Sequence, residues 1–252
     1  MPKVSVVIPC YNHGQFLPET LDSLEAQTFT DYEVLVVNDG STDATTVALL
    51  NSLDPDKARV LHTENRGVAA ARNLGISEAR GEYILPLDAD DLIAPEYMQR
   101  AVGVLDAGPE VGIVYGERVL FGEKEGSYPL PEYDCRAILV DNCIYPAAFF
   151  RKCDWEAVGG YNEKMVHGWE DWDFWIALTS LGKQVVKITE PLFYYRVRST
   201  SRDHSLDFRQ KLISMFTIVM RHKRRYLANA DLLISRAFRV GFRTVWGASE
   251  RN

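Results

Sequence analysis

Short β-branched runs alternate with segments of helical periodicity over the first half of the chain, and that alternation limits the accessible folds more than any other feature. Residues 4–8, 33–38, 59–62 and 83–87 read as strands. Between them Phe16, Leu17, Leu21 and Leu24 fall on one helix face, and residues 47–53 and 68–79 supply two further helices. Strands joined this way lie parallel, because each helix returns the chain by a right-handed crossover and covers a sheet face. The expected class is α/β, with a mainly parallel, Rossmann-like sheet flanked by helices. In such sheets ligands sit outside the carboxyl ends of the strands. Here those ends carry Pro9, Tyr11 and Asn12, then residues 39–43, then residues 88–91.

The second half is less regular. Helices are expected over residues 95–105 and 171–181, strands over 111–115, near 145–150 and over 185–188 and 192–197, and a turn at Gly159 and Gly160. Residues 122–142 are polar and Pro-rich. They predict a long loop, which in a compact domain is more often functional than idle. From Leu206 onward the pattern is helical, in two segments separated near Asn229. At 252 residues and 46% apolar content, the chain suffices for one α/β domain, residues 1–204, and a helical extension, residues 205–252.

The net charge of -7 conceals an asymmetry: residues 205–252 hold ten Lys and Arg against three Asp and Glu, so the body is acidic and the extension basic. Leu212, Ile213, Phe216, Ile218 and Val219 precede Arg221, Lys223, Arg224 and Arg225. That pattern fits a helix packed on the body with its basic end solvated, or a basic amphipathic helix on an anionic membrane surface. Cys10, Cys135, Cys143 and Cys153 form no CxxC pair and read as reduced thiols without structural zinc. No stretch approaches the roughly 20 apolar residues of a spanning helix, and the first apolar run is too short for a signal peptide. The expectation is a cytoplasmic protein, either free or in peripheral contact with the inner membrane face through the basic helices.

Acid-bearing motifs carry the chemistry. Residues 85–91 read LPLDADD, and a side-chain period of two points Asp88 and Asp90 one way and Ala89 the other. Adjacent carboxylates repel, and a divalent cation with oxygen ligands relieves the repulsion, which directs attention to a metal and a phosphate-bearing substrate. A solvated acidic turn before the helix near Pro95 is the competing explanation. In residues 38–43, NDGSTD, Gly40 permits a tight turn and Ser41, Thr42 or Asp43 caps a helix, while Asp39 is either part of that turn or an acceptor for a nucleobase edge. In residues 64–73, ENRGVAAARN, Gly67 starts a helix and Arg72 follows about one turn later, where its planar fork suits carboxylates or a diphosphate. Residues 168–174, GWEDWDF, set Glu170 and Asp171 at a helix start beside Trp169, Trp172 and Trp175. Acids there complement the helix dipole. Indoles, however, also stack on sugar rings, and a carboxylate they shield from water serves as a general base toward a hydroxyl.

VSVVIPCYN, NDGSTD, ENRGVAAARN, LDADD, GGYNE and WEDWDFW occur in this order, and with them the chain resembles the family 2 glycosyltransferases of the GT-A fold over about residues 3–198. The resemblance implies an inverting enzyme that uses a nucleotide-diphosphate sugar, with UDP favoured, and a glycan or lipid-linked acceptor in cell-surface polysaccharide synthesis. It implies that Pro9, Tyr11 and Asn12 shape the nucleotide pocket, that Asp39 hydrogen-bonds the base, and that Arg72 lies near the carboxylates and donor. Asp88 and Asp90 fill the DXD motif, Asp88 near the ribose or metal and Asp90 ligating Mn2+ or Mg2+ at the diphosphate. Asp171 corresponds to the catalytic base, with Glu170 and Trp169 on the acceptor side. One departure stands out: where the family often carries a His shortly after a Tyr-Arg pair, residues 194–200 read YYRVRST, which leaves Arg198 or His204 to contact the metal or diphosphate. The alternative function is a metal-dependent nucleotidyltransferase acting on sugar phosphates. Against it, PCYNHGQ at the first strand end has no Lys or Arg to hold a triphosphate. A dinucleotide dehydrogenase is excluded by the missing GxGxxG, and nothing points to nucleic acid as a partner.

Overall fold

β1 (Val4–Cys10), β2 (Tyr32–Asp39), β3 (Arg59–Thr63) and β4 (Tyr83–Pro86) are joined by α1 (Leu17–Glu25), α2 (Ala44–Ser52) and α3 (Val68–Glu78) in the computed structural model, which describes residues 1–127, 129, 131–198 and 207–231. These strands pair in parallel in the order β3-β2-β1-β4. Every residue of β1 is buried, because alternate side chains enter two separate cores. Val6 and Ile8 pack with Leu17 and Leu24, whereas Val7 packs with Ala71 and Ile76. Close approach of α3 to the sheet depends on Gly75, where a Cβ would stand 2.4 Å from Val7 Cγ1.

The rest of the chain adds β5 (Leu92–Ile93), α4 (Tyr97–Ala107), β6 (Val111–Gly122), β7 (Gly126–Ser127), a 3-10 turn (Ala137–Leu139), β8 (Phe149–Arg151), α5 (Lys152–Val158), α6 (Glu170–Thr179), β9 (Gln184–Val197), α7 (Phe208–Arg221) and α8 (Lys223–Ala228). The sheet continues β4-β8-β6-β9-β5, with β8 antiparallel to both neighbours and β6 parallel to β9. Sequence patterning ends β6 at residue 115 and splits β9 at the Glu190–Pro191 step. Instead the two strands pair along a long ribbon whose register shifts between Gly116 and Arg118. Those irregularities take up Pro191, which a regular ladder would not tolerate. The short β5 and α5 carry too little periodicity to be read from sequence. The expected turn at Gly159 is the left-handed C-cap of α5 (φ 77°).

α7 opens with a capping box, Asp207 with Gln210, and packs on α6 rather than standing apart. Buried Asp173 of α6 accepts from Arg221 and lies 2.9 Å from His222 Nε2. Tyr226 Oη donates to Leu139 O at 2.7 Å, and Arg225 Nη1 to Ile176 O at 2.7 Å. The helical break falls at His222, and the segment expected beyond Asn229 lies, after residue 231, outside the described residues. Among the described residues no helix is long and apolar enough to cross a membrane.

Candidate active site

The carboxyl ends of β1, β2 and β4 and the first turn of α6 open on one cavity of about 850 Å3, within the size range of small-molecule sites. Pro9, Tyr11, Asn12 and Asp39 line one side, Arg72, Asp88 and Asp90 the middle, and Trp169, Glu170 and Asp171 the other.

On the first side, Asn12 adopts a left-handed conformation (φ 55°), and its Oδ1 accepts from Thr42 N at 2.8 Å and Asp43 N at 2.9 Å. Asparagine tolerates that conformation better than most residues. It thereby fastens the end of β1 to the NDGSTD turn. Of the three candidate caps it is Asp43 that caps α2, accepting from Thr46 N at 2.8 Å. Gly40 (φ 68°) cannot be replaced cheaply, since a Cβ there would lie 2.5 Å from Asn65 N. Asp39 is 4% exposed, and its two oxygens accept from Arg66 N and Gly67 N at 2.8 and 2.9 Å. Each carboxylate oxygen retains a second lone pair for a ligand.

In the middle, Arg72 is 1% exposed and bridges the two acidic motifs. Its Nη2 lies 2.6 Å from Asp88 Oδ1 and its Nη1 2.9 Å from Glu170 Oε1. Burial opposes the guanidinium charge, but the carboxylates of Asp88 and Glu170 outweigh it and raise the pKa. Both terminal guanidinium nitrogens are thus held by carboxylates, the first of the two roles expected for this arginine. Asp90 faces Arg198 Nη2 at 2.6 Å, and the same nitrogen lies 3.2 Å from His13 Nε2. Burial, and then the neighbouring Asp88, push the Asp90 carboxyl above the usual range, while burial pushes His13 down. Because arginine has donors only, His13 Nε2 is the acceptor in that contact. Arg198 thus sits at the position where the family resemblance anticipates His, and His204 lies outside the described residues. The third acid, Asp91, is 1% exposed and accepts from Arg196 N at 2.9 Å, which ties β9 to the DXD turn.

On the far side, Gly168 (φ 111°) and Trp169 (φ 66°) turn the chain into α6. Among the described residues Asn12 and Trp169 are the non-glycine residues with positive φ, and both line the cavity. Such conformations cost on the order of 1–3 kcal/mol and cluster at functional sites. Asp171 Oδ2 accepts from Asn142 Nδ2 at 3.1 Å. The long polar loop therefore reaches the site with its last three residues, Val140, Asp141 and Asn142. Trp172 lines the cavity with Trp169, its Nε1 donating to Ile138 O at 2.6 Å. Trp175 does not join them: it is fully buried against Phe150 and Phe174.

The profile of the family described as glycosyl transferase family 2 matches residues 5–155. The chain belongs to that family. A chondroitin synthase of Pasteurella multocida is 29% identical over 194 residues, covering 73% of this chain and 19% of the synthase. An uncharacterized glycosyltransferase of Rickettsia felis is 31% identical over 70% of this chain and 31% of its own length. The chain thus spans less than a third of either relative. Among solved structures, Staphylococcus aureus TarS 1-349 in complex with UDP-GlcNAc superposes with a TM-score of 0.68 at 23% identity, covering 81% of this chain and 61% of that one. The mannosyltransferase PcManGT of Pyrobaculum calidifontis, in complex with GDP-Man and Mn2+, gives 0.66 at 22%, covering 97% and 76%. The family 2 member described here therefore has the GT-A fold.

Asp88 and Asp90 of this family 2 member offer hard oxygen donors just past one strand end, and among the described residues no group of three or more His, Cys, Asp or Glu converges on a point. Mg2+ and similar ions bind through one or two carboxylates together with substrate phosphates and water. The pair therefore fits an ion that is completed by a diphosphate. Sequence reasoning missed His13, Asn142 and Arg118, whose guanidinium stacks 3.7 Å from the Tyr145 ring centroid. His13 was discoverable from its place just after β1; Asn142 and Arg118 carry no sequence signal.

Proposed function

We propose that this protein is an inverting glycosyltransferase that moves a sugar from a nucleoside diphosphate sugar, UDP-linked by preference, to a hydroxyl of a glycan or lipid-linked acceptor. The observation that carries the proposal is the bridge made by Arg72, which holds the DXD acid Asp88 and the α6 acid Glu170 within 2.6 and 2.9 Å of one guanidinium, so that both acidic motifs face one cavity. A donor centre and an acceptor centre on opposite walls of one pocket are what a single displacement needs.

Pro9, Tyr11, Asn12 and Asp39 form the nucleotide side, with Asp39 accepting from the base edge. Asp88 and Asp90 would hold Mn2+ or Mg2+, which when bound neutralises the charge of the departing diphosphate. Arg198 adds a guanidinium beside the same carboxylate. Asp171 removes the proton from the acceptor hydroxyl as that oxygen attacks the anomeric carbon, and the Asn142 amide at 3.1 Å orients its carboxylate. The C1–oxygen bond to the diphosphate breaks as the new glycosidic bond forms, so no covalent enzyme intermediate is required. Glu170 is 2% exposed and acts by fixing Arg72, while Trp169 offers an indole face to the acceptor sugar.

UDP is supported by the TarS complex with UDP-GlcNAc, and a role in cell-surface polysaccharide synthesis by the Pasteurella multocida synthases. The test is a thermal-shift panel of UDP-, GDP- and dTDP-sugars with and without Mn2+, followed by analysis of the product released from the stabilising donor. Free nucleoside diphosphate is expected; release of pyrophosphate from a nucleoside triphosphate and a sugar phosphate would instead identify a nucleotidyltransferase and refute the proposal.

A further inference from the structure

α7 has two faces of opposite character, and among the described residues only one of them is packed against the fold. Its inner face carries Ser214 and Ile218, 2% and 0% exposed, and ends in the Arg221 and His222 contacts to Asp173. Met215, one residue further along, lines the catalytic cavity. Its outer face carries Phe208, Leu212, Phe216 and Met220, spaced four residues apart and 78%, 53%, 66% and 52% exposed, with Ile213 beside them at 42%. Residues four apart stack on one side of a helix, so these side chains form one continuous apolar stripe over a helix about 20 Å long.

The surroundings of the stripe are basic. Arg209 and Lys211 on α7 and Lys223 and Arg224 on α8 are all exposed. The acids of the same segment are engaged: Asp207 in the capping box and Asp231 with Arg136. Residues 232–252 add four arginines against one glutamate. A helix anchored on one side, with Phe and Leu exposed on the other and lysine and arginine at its margins, matches the anatomy of a segment that lies in the plane of a bilayer surface. Arginine in the midst of such a stripe can lay its methylenes on the apolar surface and keep its head in the phosphate layer.

We infer that the outer face of α7 docks the protein on an anionic lipid surface. The positive margin selects the lipid charge, and the stripe supplies the apolar insertion. Residues 232–252 of the same chain, or a second copy docked stripe to stripe, would bring further basic residues against Arg209, Lys211, Lys223 and Arg224. Charge complementarity therefore favours the lipid. Because α7 also contributes Met215 to the cavity wall, docking sets the site beside the bilayer, where an amphiphilic acceptor would be presented. The docking itself is independent of the proposed transferase reaction and is measured without donor.

The test is co-sedimentation of the full chain with vesicles of phosphatidylcholine alone and with one third phosphatidylglycerol, combined with hydroxyl-radical labelling of Phe216 and Met220. Binding to the anionic vesicles at least tenfold stronger than to the neutral ones is expected, falling with added salt. Phe216→Ser with Phe208→Ser should lose that binding while keeping the wild-type circular dichroism spectrum and melting temperature, since neither side chain is part of the packed face. Labelling of Phe216 and Met220 should be high in solution and low on vesicles. Equal binding by the double variant would overturn the inference. So would protection of the stripe in vesicle-free monomer, which would give it to residues 232–252, or a solution dimer dissolved by the double variant, which would give it to a second copy.

Discussion

Replacement of Arg72 by methionine is the sharpest perturbation of the site, because it removes one buried cation from between two acids. Arg72 is 1% exposed, the Glu170 side chain 3% and the Asp88 side chain 30%. The loss therefore falls mainly on Glu170, which is left charged and enclosed, while water can reach Asp88. Breaking one side of a buried pair costs about 3–5 kcal/mol. For a chain near this size each kcal/mol shifts the melting temperature by about 2–4 °C, so R72M should melt roughly 6–20 °C below the parent. The decisive comparison is R72M/E170Q: removing the stranded charge as well should recover part of the loss, because contacting residues couple by about 0.5–3 kcal/mol. Scanning calorimetry on the parent, both single variants and the double variant completes the cycle. If R72M melts with the parent, or if the two losses simply add, the bridge does not hold the two walls together and the reasoning from Arg72 fails.

Four further outcomes follow from the same geometry. Asp171→Asn should keep the donor-induced thermal shift and lose transfer by ~10²-fold or more, as expected for removal of a general base; full transfer would remove Asp171 from that role. Asp90→Ala should abolish the part of the donor-induced shift that depends on Mn2+, since ligand stabilisation tracks affinity. Arg198→Ala should weaken donor binding with and without Mn2+, measured by calorimetric titration, and unchanged affinity would deny Arg198 a place at the diphosphate. Finally, burial pushes the Cys10 and Cys143 thiols up to about 11, so at pH 8 they hold almost no thiolate and are shielded from reagent, whereas Cys135 and Cys153 are exposed. Ellman's reagent should titrate two thiols rapidly and the other two more slowly by about 10²-fold, with their rate rising as pH approaches 11.

The parallel half of the fold was readable because its signals are local: short continuous β-branched runs, helix faces of period 3.6, and acids at strand ends. The ribbon of β6 and β9 was not, because its pairing joins residues far apart in sequence and its register shift accommodates a proline that locally reads as a break. The same distinction runs through the site. Asp88, Asp90, Glu170 and Asp171 announce themselves by clustering, and the expectation that Arg72 pairs with carboxylates needed only its placement on a helix start. Asn142 lies at the end of a polar loop without periodicity, and its contact with Asp171 exists only once Trp172 and Tyr226 have pinned residues 138 and 139.

That pinning explains why the extension cannot be treated as an appendix to the catalytic domain. Trp172 and Tyr226 hold the carbonyls of Ile138 and Leu139, Arg225 reaches Cys135 O at 3.0 Å, and Arg221 and His222 fix Asp173, two residues beyond the proposed base. The loop that positions Asn142 and the helix that carries Asp171 are therefore both fastened from α7 and α8. The proposed donor wall is built mainly by the parallel strands and their turns, all within the first 91 residues, with Arg196 and Arg198 closing on Asp91 and Asp90 from β9 and the residue after it. The proposed acceptor wall is assembled from three distant segments and is braced by the C-terminal helices. Substrate choice on the acceptor side should accordingly be more sensitive to changes in α7 and α8 than donor choice is, although neither helix contributes an acid to the site.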